Sequence, residues 1–170
     1  MKSHSRVVVI GGGVVGVSAL YHLAKKGWSD VVLVERRELT SGSTWHAAGL
    51  LPLFNMSYSV GQIHKYSVKF YQELQEETGM NVGFRNVSNI RLAQTQERMD
   101  EYRQYAGVAS TIGVQVDFLT PEQVQEIWPL CNPDGLVGAI QHPDDGYIQP
   151  ADLTQAMARG ARDRLSLIHI

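Results

Sequence analysis

Cysteine occurs once in the 170 residues, at Cys131, which excludes an intrachain disulfide and any paired-cysteine metal or redox motif. A single thiol fits a reducing compartment. Charge of one sign never accumulates: the formal net charge is −2 with acids and bases interspersed, so neither a nucleic-acid footprint nor a polybasic membrane patch is present. No apolar run approaches the roughly 20 residues that a helix needs to cross a bilayer. The stretch between Met1 and the apolar run that opens at Val7 is too short for a signal peptide or an amphipathic transit segment, so the expectation is a chain without either. The expectation is a cytoplasmic protein whose partner is a small molecule. Repeats, low-complexity tracts and Pro/Gly-rich linkers are also missing. The 44% of hydrophobic residues is that of a globular chain with a real core.

What is there begins with Val7-Val8-Val9-Ile10, a continuous β-branched run that reads as a parallel strand buried on both faces. From Val14 the period changes. Val14, Val17, Leu20, Tyr21 and Leu23 or Ala24 recur as on the buried face of a helix that ends near Gly27. Val31-Val32-Leu33-Val34 then reads as a second buried strand, completing a right-handed βαβ unit. The turn between strand and helix is GGGVVG, with Gly11, Gly13 and Gly16 at the spacing of a dinucleotide fingerprint. Gly11 suits a tight turn, Gly13 the approach of a pyrophosphate and Gly16 close helix-to-strand packing, while the free amides at the helix start suit phosphate. Glu35 closes the second strand 19 residues after Gly16. A carboxylate there accepts from ribose hydroxyls and repels a 2′-phosphate, which favours NAD or FAD over NADP. Arg36 and Arg37 follow and read equally as phosphate partners or as solvated loop residues.

The loop "GSTWHAAGL", residues 42 to 50, sets two large rings among small residues. An extended chain of the 11 residues from Glu35 to His46 reaches roughly 36 Å, enough to return along the whole length of a dinucleotide. Gly42, Ser43, Thr44, Ala47, Ala48 and Gly49 let backbone pack against a ligand, and an imidazole presented there suits a general base, a hydrogen-bond partner or a nucleophile.

Residues 5 to 50, with GGGVVGVSALYHLAKKG and VVLVERRELTSGSTWHAAGL, resemble the start of the dimethylglycine and sarcosine dehydrogenase family of flavoproteins. The similarity continues less tightly to about residue 164 through DGYIQPADLTQAMARGAR. The resemblance implies a Rossmann-like, D-amino-acid-oxidase-like α/β domain for FAD with an inserted α+β substrate lobe. It also implies a covalent bond from a ring nitrogen of His46 to the 8α carbon of FAD, with Val14, Val15, Glu35, Arg36 and the run Gly42, Ser43, Thr44, Trp45, His46, Ala47, Ala48, Gly49, Leu50 as cofactor contacts. The substrate it implies is a small N-methylated amino acid, and tetrahydrofolate would belong to a carboxy-terminal region that this sequence does not contain. The family also has a relative that regulates a phosphatase, so a non-catalytic flavin-fold subunit is the second reading. An NAD-dependent dehydrogenase is the third, although it has no evident use for the small-residue loop.

The expected organisation is 1–83 for the FAD-binding βαβ part, 84–149 for a partial substrate lobe, 150–164 for a helix returning to the first domain and 165–170 for a tail. Residues 60 to 78 read as a helix with Val60, Ile63, Phe70 or Tyr71 and Leu74 inward and His64 on the surface. Val87 to Ala93 reads as a strand. A second helix starts at Thr95, carries Met99, Tyr102, Ala106, Ala109 and Ile112, and stops at Gly113. "TPEQ" from Thr120 is a capping box with Pro121 in the first turn, opening a short helix closed by Pro129. Leu136–Gln141 and Tyr147–Gln149 read as a strand pair joined by the turn "HPDDG", whose His142, Asp144 and Asp145 are expected to be ordinary turn chemistry and not metal ligands. In the last helix Leu153, Met157, Gly160 and Ala161 share a face that should cover strands the chain lacks, so the expectation is exposure. "LSLIHI" suits a strand and is also the translation of a sequencing-library transposase adapter; it is read as a non-native tail.

Overall fold

The computed structural model describes residues 4–164 and the strand 167–169. In chain order the elements are β1 (Val7–Ile10), α1 (Val14–Lys25), β2 (Val31–Val34), a 3-10 turn (Ser43–His46), β3 (Leu50–Leu51), α2 (Tyr58–Thr78), β4 (Arg85–Asn86) and β5 (Asn89–Ala93). Then come α3 (Gln96–Ile112), β6 (Asp117–Leu119), α4 (Pro121–Ile127), β7 (Gly138–His142), β8 (Gly146–Tyr147), α5 (Pro150–Asp163) and β9 (Leu167–His169). They fall into two units: 1–49 with 70–84 and 148–170, and 50–69 with 85–147. Residues 50–69 therefore cluster with the second unit, where the sequence had placed them in the first. Of the segment read as a tail, positions 165, 166 and 170 lie outside the described residues, while β9 pairs parallel with β2.

In the first unit the strands run in parallel in the order β1-β2-β9. Val17, Leu20, Tyr21 and Ala24 of α1 are buried at the spacing of one helix face, and α5 packs against that helix. Leu153, Met157 and Ala161 are 1%, 1% and 0% exposed, which corrects the expectation of a bare α5. The face is covered by a helix and not by strands: a Cβ on Gly160 would lie 2.8 Å from the Tyr21 ring, so the absence of a side chain lets the two helices close. The Tyr21 hydroxyl donates to Glu77 at 2.7 Å, and Arg164 meets the same carboxylate at 2.8 Å, joining α1, α2 and the end of α5. The apolar surface left open is on the sheet. Val8 and Ile10 are 54% and 87% exposed, so β1 alternates and is not buried on both faces. Side chains alternate across a strand; Val9 faces Gly16 of α1, and Val8 and Ile10 stand on the opposite face, where Val32 of β2, the partner of Val8, is 8% exposed.

The second unit holds two three-stranded antiparallel sheets, β3-β8-β4 and β5-β7-β6. The β7–β8 hairpin expected from HPDDG is not formed. Both edges of β7 are taken by β5 and β6, so the chain turns at Asp145 and β8 pairs with β3 and β4 instead. Ser88, at φ 67°, breaks the strand read from Val87, and β5 starts at Asn89. α3 begins on the Thr95 side chain, ends on left-handed Gly113 and buries Met99, Tyr102, Tyr105, Ala109 and Ile112. The capping box at Thr120 is formed. In the first half of α2 the inward residue is Gly61, against Ile112, while Ile63 is exposed, contrary to expectation. His64 is half-buried with Nδ1 2.9 Å from the Pro52 carbonyl, so it is not a plain surface histidine.

Two of the turn residues, His142 and Asp145, are buried, while Asp144 is exposed. Asp145 accepts the Leu53 N–H on Oδ1 at 2.8 Å, and its carbonyl accepts from Ser88 at 2.9 Å. His142 Nε2 lies 3.0 Å from the Tyr105 hydroxyl, whose own O–H points to the Leu53 carbonyl at 3.3 Å. Burial pushes Asp145 up to about 6, against the opposing Leu53 N–H and Arg91. Burial, aided by Arg91, pushes His142 down to about 4. Asp145 then costs stability as pH rises from its unfolded value near 3.8 to about 6, because the folded state holds the proton more tightly. His142 adds stability as pH rises from about 4 to 6.5, because there the unfolded state holds the proton. The two slopes oppose. Asp145→Asn should therefore unmask stability that rises across that window, and His142→Gln stability that falls, each by up to about 3 kcal/mol. Urea unfolding at a series of pH values reads both; slopes matching the wild type in both variants would contradict the account.

Candidate functional site

The first unit gathers the fingerprint at the end of β1. Gly11 has φ +109°, a conformation that side chains rarely adopt, and its N–H still donates to Val34 at 2.9 Å, so the ladder ends as the turn begins. A Cβ on Gly16 would lie 2.0 Å from the Gly11 carbonyl oxygen; only glycine lets the helix start this close to the strand end. Gly13 is the N-cap of α1 in extended conformation with no side-chain cap of its own. The amides of Val15 and Gly16, in the first helical turn, have no intrahelical acceptor, and Val15 is 81% exposed. Together with the helix dipole they form an anion-binding end.

Glu35 closes β2 against this turn. Oε2 accepts the Gly12 N–H at 2.6 Å and Oε1 accepts the Arg37 N–H at 2.9 Å. These two amides, Gly12 first, hold its carboxyl below the usual range against a smaller opposing effect of desolvation. Each oxygen keeps a further lone pair, the capacity needed to accept from a ribose diol. Arg36 is exposed, and its charge acts on Glu35.

The loop is placed by Thr44. Ser43–His46 forms a 3-10 turn in which Thr44 is the buried residue, and Thr44 Oγ1 accepts the Val14 N–H at 3.0 Å. Gly42, Ser43, Trp45, His46, Ala47 and Ala48 are exposed. The Trp45 and His46 rings lie against each other, centroids 4.5 Å apart and planes tilted by 43°. Gly49, at φ +75°, ends the segment beneath the Ile148 carbonyl. Leu50 is 68% exposed and opens β3 in the second unit. The turn, Glu35 and Thr44 are thus in direct contact; Arg36 reaches Glu35 through its backbone N–H and its charge, and His46 stands exposed on the 3-10 turn that Thr44 anchors.

Two positions carry more than the sequence reading assigned. Gly12, an unspecified place in the fingerprint, bonds Glu35 through its N–H, and its carbonyl accepts from Thr40 at 3.0 Å. A Cβ there would lie 2.5 Å from Leu39, so a third glycine in the run is itself the signal. The role of Thr44 has only a negative signal: a helix opening on Gly-Val-Val with no Ser, Thr, Asp or Asn to cap it.

A dinucleotide cofactor fits these residues. A Cβ on Gly13 would sit 3.1 Å from Thr44 Oγ1, in the space beside the open amides, and Glu35 stands across the turn with acceptor capacity to spare. No group of three or more His, Cys, Asp or Glu side chains able to hold a metal occurs among the described residues. No helix among them is long and apolar enough to cross a membrane.

The model of the FAD dependent oxidoreductase family, DAO, matches residues 6–168. Dimethylglycine dehydrogenase, mitochondrial, from Rattus norvegicus is 47% identical over 161 residues, covering 95% of this chain and 19% of that protein. Sarcosine dehydrogenase, mitochondrial, from Homo sapiens is 39% identical over 165 residues, 96% of this chain and 18% of that protein. Among solved structures, L-proline dehydrogenase from P. horikoshii superposes with a TM-score of 0.92 at 28% identity, covering 99% of this chain and 44% of that one. The chain spans about a fifth of the length of the curated relatives.

Proposed function

Because this chain belongs to the family of FAD dependent oxidoreductases, we propose that it forms the nucleotide-binding part of an enzyme that oxidises the N-methyl group of a small amino acid of the dimethylglycine or sarcosine kind. The observation that carries the cofactor site is the turn itself: open amides at Val15 and Gly16, Gly13 leaving the approach clear, and Glu35 fixed by Gly12 and Arg37. The amides take the pyrophosphate, and the carboxylate takes the adenosine ribose. FAD, when bound, supplies the acceptor for the hydride that leaves the methyl carbon. His46 would be the covalent attachment point, a ring nitrogen taking the place of one hydrogen on the flavin's 8-methyl carbon, with the proton released and the electron pair left on the flavin ring for the electron acceptor. The exposed Trp45–His46 pair, on a turn docked at the head of α1, supports that role. Tetrahydrofolate would belong to a separate region of a longer protein.

The substrate reading rests on what the relatives are named for. Its test is a polypeptide of the relatives' length beginning with this chain, assayed with dimethylglycine and sarcosine and an artificial electron acceptor. The expected result is turnover that bleaches bound flavin anaerobically. Flavin bound without turnover of either amine would overturn the substrate reading and favour a regulatory subunit.

A further inference from the structure

The head of α1 and the loop that carries His46 share a single hydroxyl. Thr44 Oγ1 accepts the Val14 N–H from a position thirty residues along the chain, and Thr44 is 6% exposed. Its carbonyl closes the 3-10 turn by accepting the Ala47 N–H at 3.2 Å. A threonine hydroxyl has one donor besides its lone pairs. Here one lone pair is used by Val14, which leaves the O–H for an acceptor at the helix head. An anion oxygen drawn to the Val15 and Gly16 amides arrives beside that group, since Oγ1 is 3.1 Å from the Cβ position of Gly13.

We propose that Thr44 is a positioning residue that couples the diphosphate to the imidazole: its hydroxyl caps Val14, donates to a phosphate oxygen, and thereby sets the turn on which Trp45 and His46 stand. The proposal rests on the nucleotide reading above and adds that cofactor binding and the placing of His46 are linked through one side chain. The linkage follows from the geometry. Trp45 and His46 are exposed and lie tilted against each other, so the buried member of their turn, which also packs on α5, is what ties them to α1. A charge-assisted hydrogen bond to an anion exceeds a neutral one, so the loaded turn is held more firmly than the free one.

The test uses ADP, which carries the diphosphate and adenosine ribose without the flavin ring, and the 170-residue chain labelled with 5-fluorotryptophan. Trp45→Phe assigns the Trp45 resonance. Saturating ADP should shift that resonance in the wild type and in Thr44→Ser, which keeps the hydroxyl. Thr44→Val keeps the shape and loses the group; it should bind ADP about tenfold or more weakly and leave the Trp45 resonance in place at saturation. Circular dichroism checks that the variant is folded, and Thr44→Ala, which also loses the hydroxyl but adds no branched side chain, should behave as Thr44→Val does and decides if Thr44→Val fails to fold. ADP bound with an unmoved Trp45 resonance, or equal affinity and equal shift in Thr44→Val, would overturn the coupling while leaving the nucleotide site standing. No ADP binding by the wild type would overturn the nucleotide reading and the coupling with it.

Discussion

Gly16→Ala is expected to lower stability by about 3 kcal/mol or more, enough to unfold much of the first unit. The added Cβ would lie 2.0 Å from the Gly11 carbonyl oxygen, a backbone atom that cannot rotate away as the end of a side chain can. Relief needs either α1 to move off the strand or the turn to change. Moving the helix uncovers Val17, Leu20 and Tyr21, all 0% exposed, at a cost of about 1.5–3 kcal/mol for each side chain fully lost to water. Changing the turn disturbs Gly11 at φ +109° and the Gly12 bond to Glu35. The control is Gly107→Ala, at an exposed position of α3 with nothing within 4 Å of the added atom, which should stabilise by about 0.5–1 kcal/mol. Urea denaturation of both variants gives the comparison. A midpoint for Gly16→Ala equal to the wild type would mean that the close approach of helix to strand is not what this turn requires.

His46→Ala should abolish covalent flavin altogether while leaving FAD bound and dissociable. The two halves of that expectation have separate physical grounds. The imidazole is exposed and contributes to no core, so its removal leaves Gly11 to Gly16, Glu35 and Thr44 where they are. The groups that hold phosphate and ribose are therefore intact, and only the nucleophile is gone. Gel filtration of the native variant should co-elute flavin absorbance with protein, and acid precipitation should release it into the supernatant. Colour kept in the washed precipitate would assign the attachment to another residue.

The βαβ unit was legible because its signals are local: a β-branched run, a switch to helical spacing at Val14 and glycines at a fixed interval. Glu35 was legible for the same reason, as the first acid after a buried strand. Burial of a strand's second face is not local. Val8 and Ile10 read as core because four β-branched residues in a row suit a strand covered on both sides, yet what lies over them is decided by other segments. α5 failed in the opposite direction. Its apolar face reads against absent strands, whereas α1 covers it, with Gly160 against the Tyr21 ring. At HPDDG the turn was visible and the pairing was not, since strands that turn sharply can still go to different sheets. Asp145 and His142 read only as ordinary turn chemistry, because their burial depends on Leu53, Arg91 and Tyr105, far away in sequence. In the candidate site, residue types and spacing pointed to the nucleotide, but the bond from Val14 to Thr44 crosses thirty residues and has no local signature.

The central claim, that this chain holds FAD at the turn after β1 and carries it on His46, is tested most directly on the unmodified polypeptide expressed in flavin-replete cells. It is denatured, freed of small molecules, weighed intact and digested. The account predicts a mass increased by one FAD and a single flavin-bearing peptide that contains Ser43 to Ala48, with the modification on His46. An unmodified intact mass, or a flavin peptide from any other part of the chain, would contradict it.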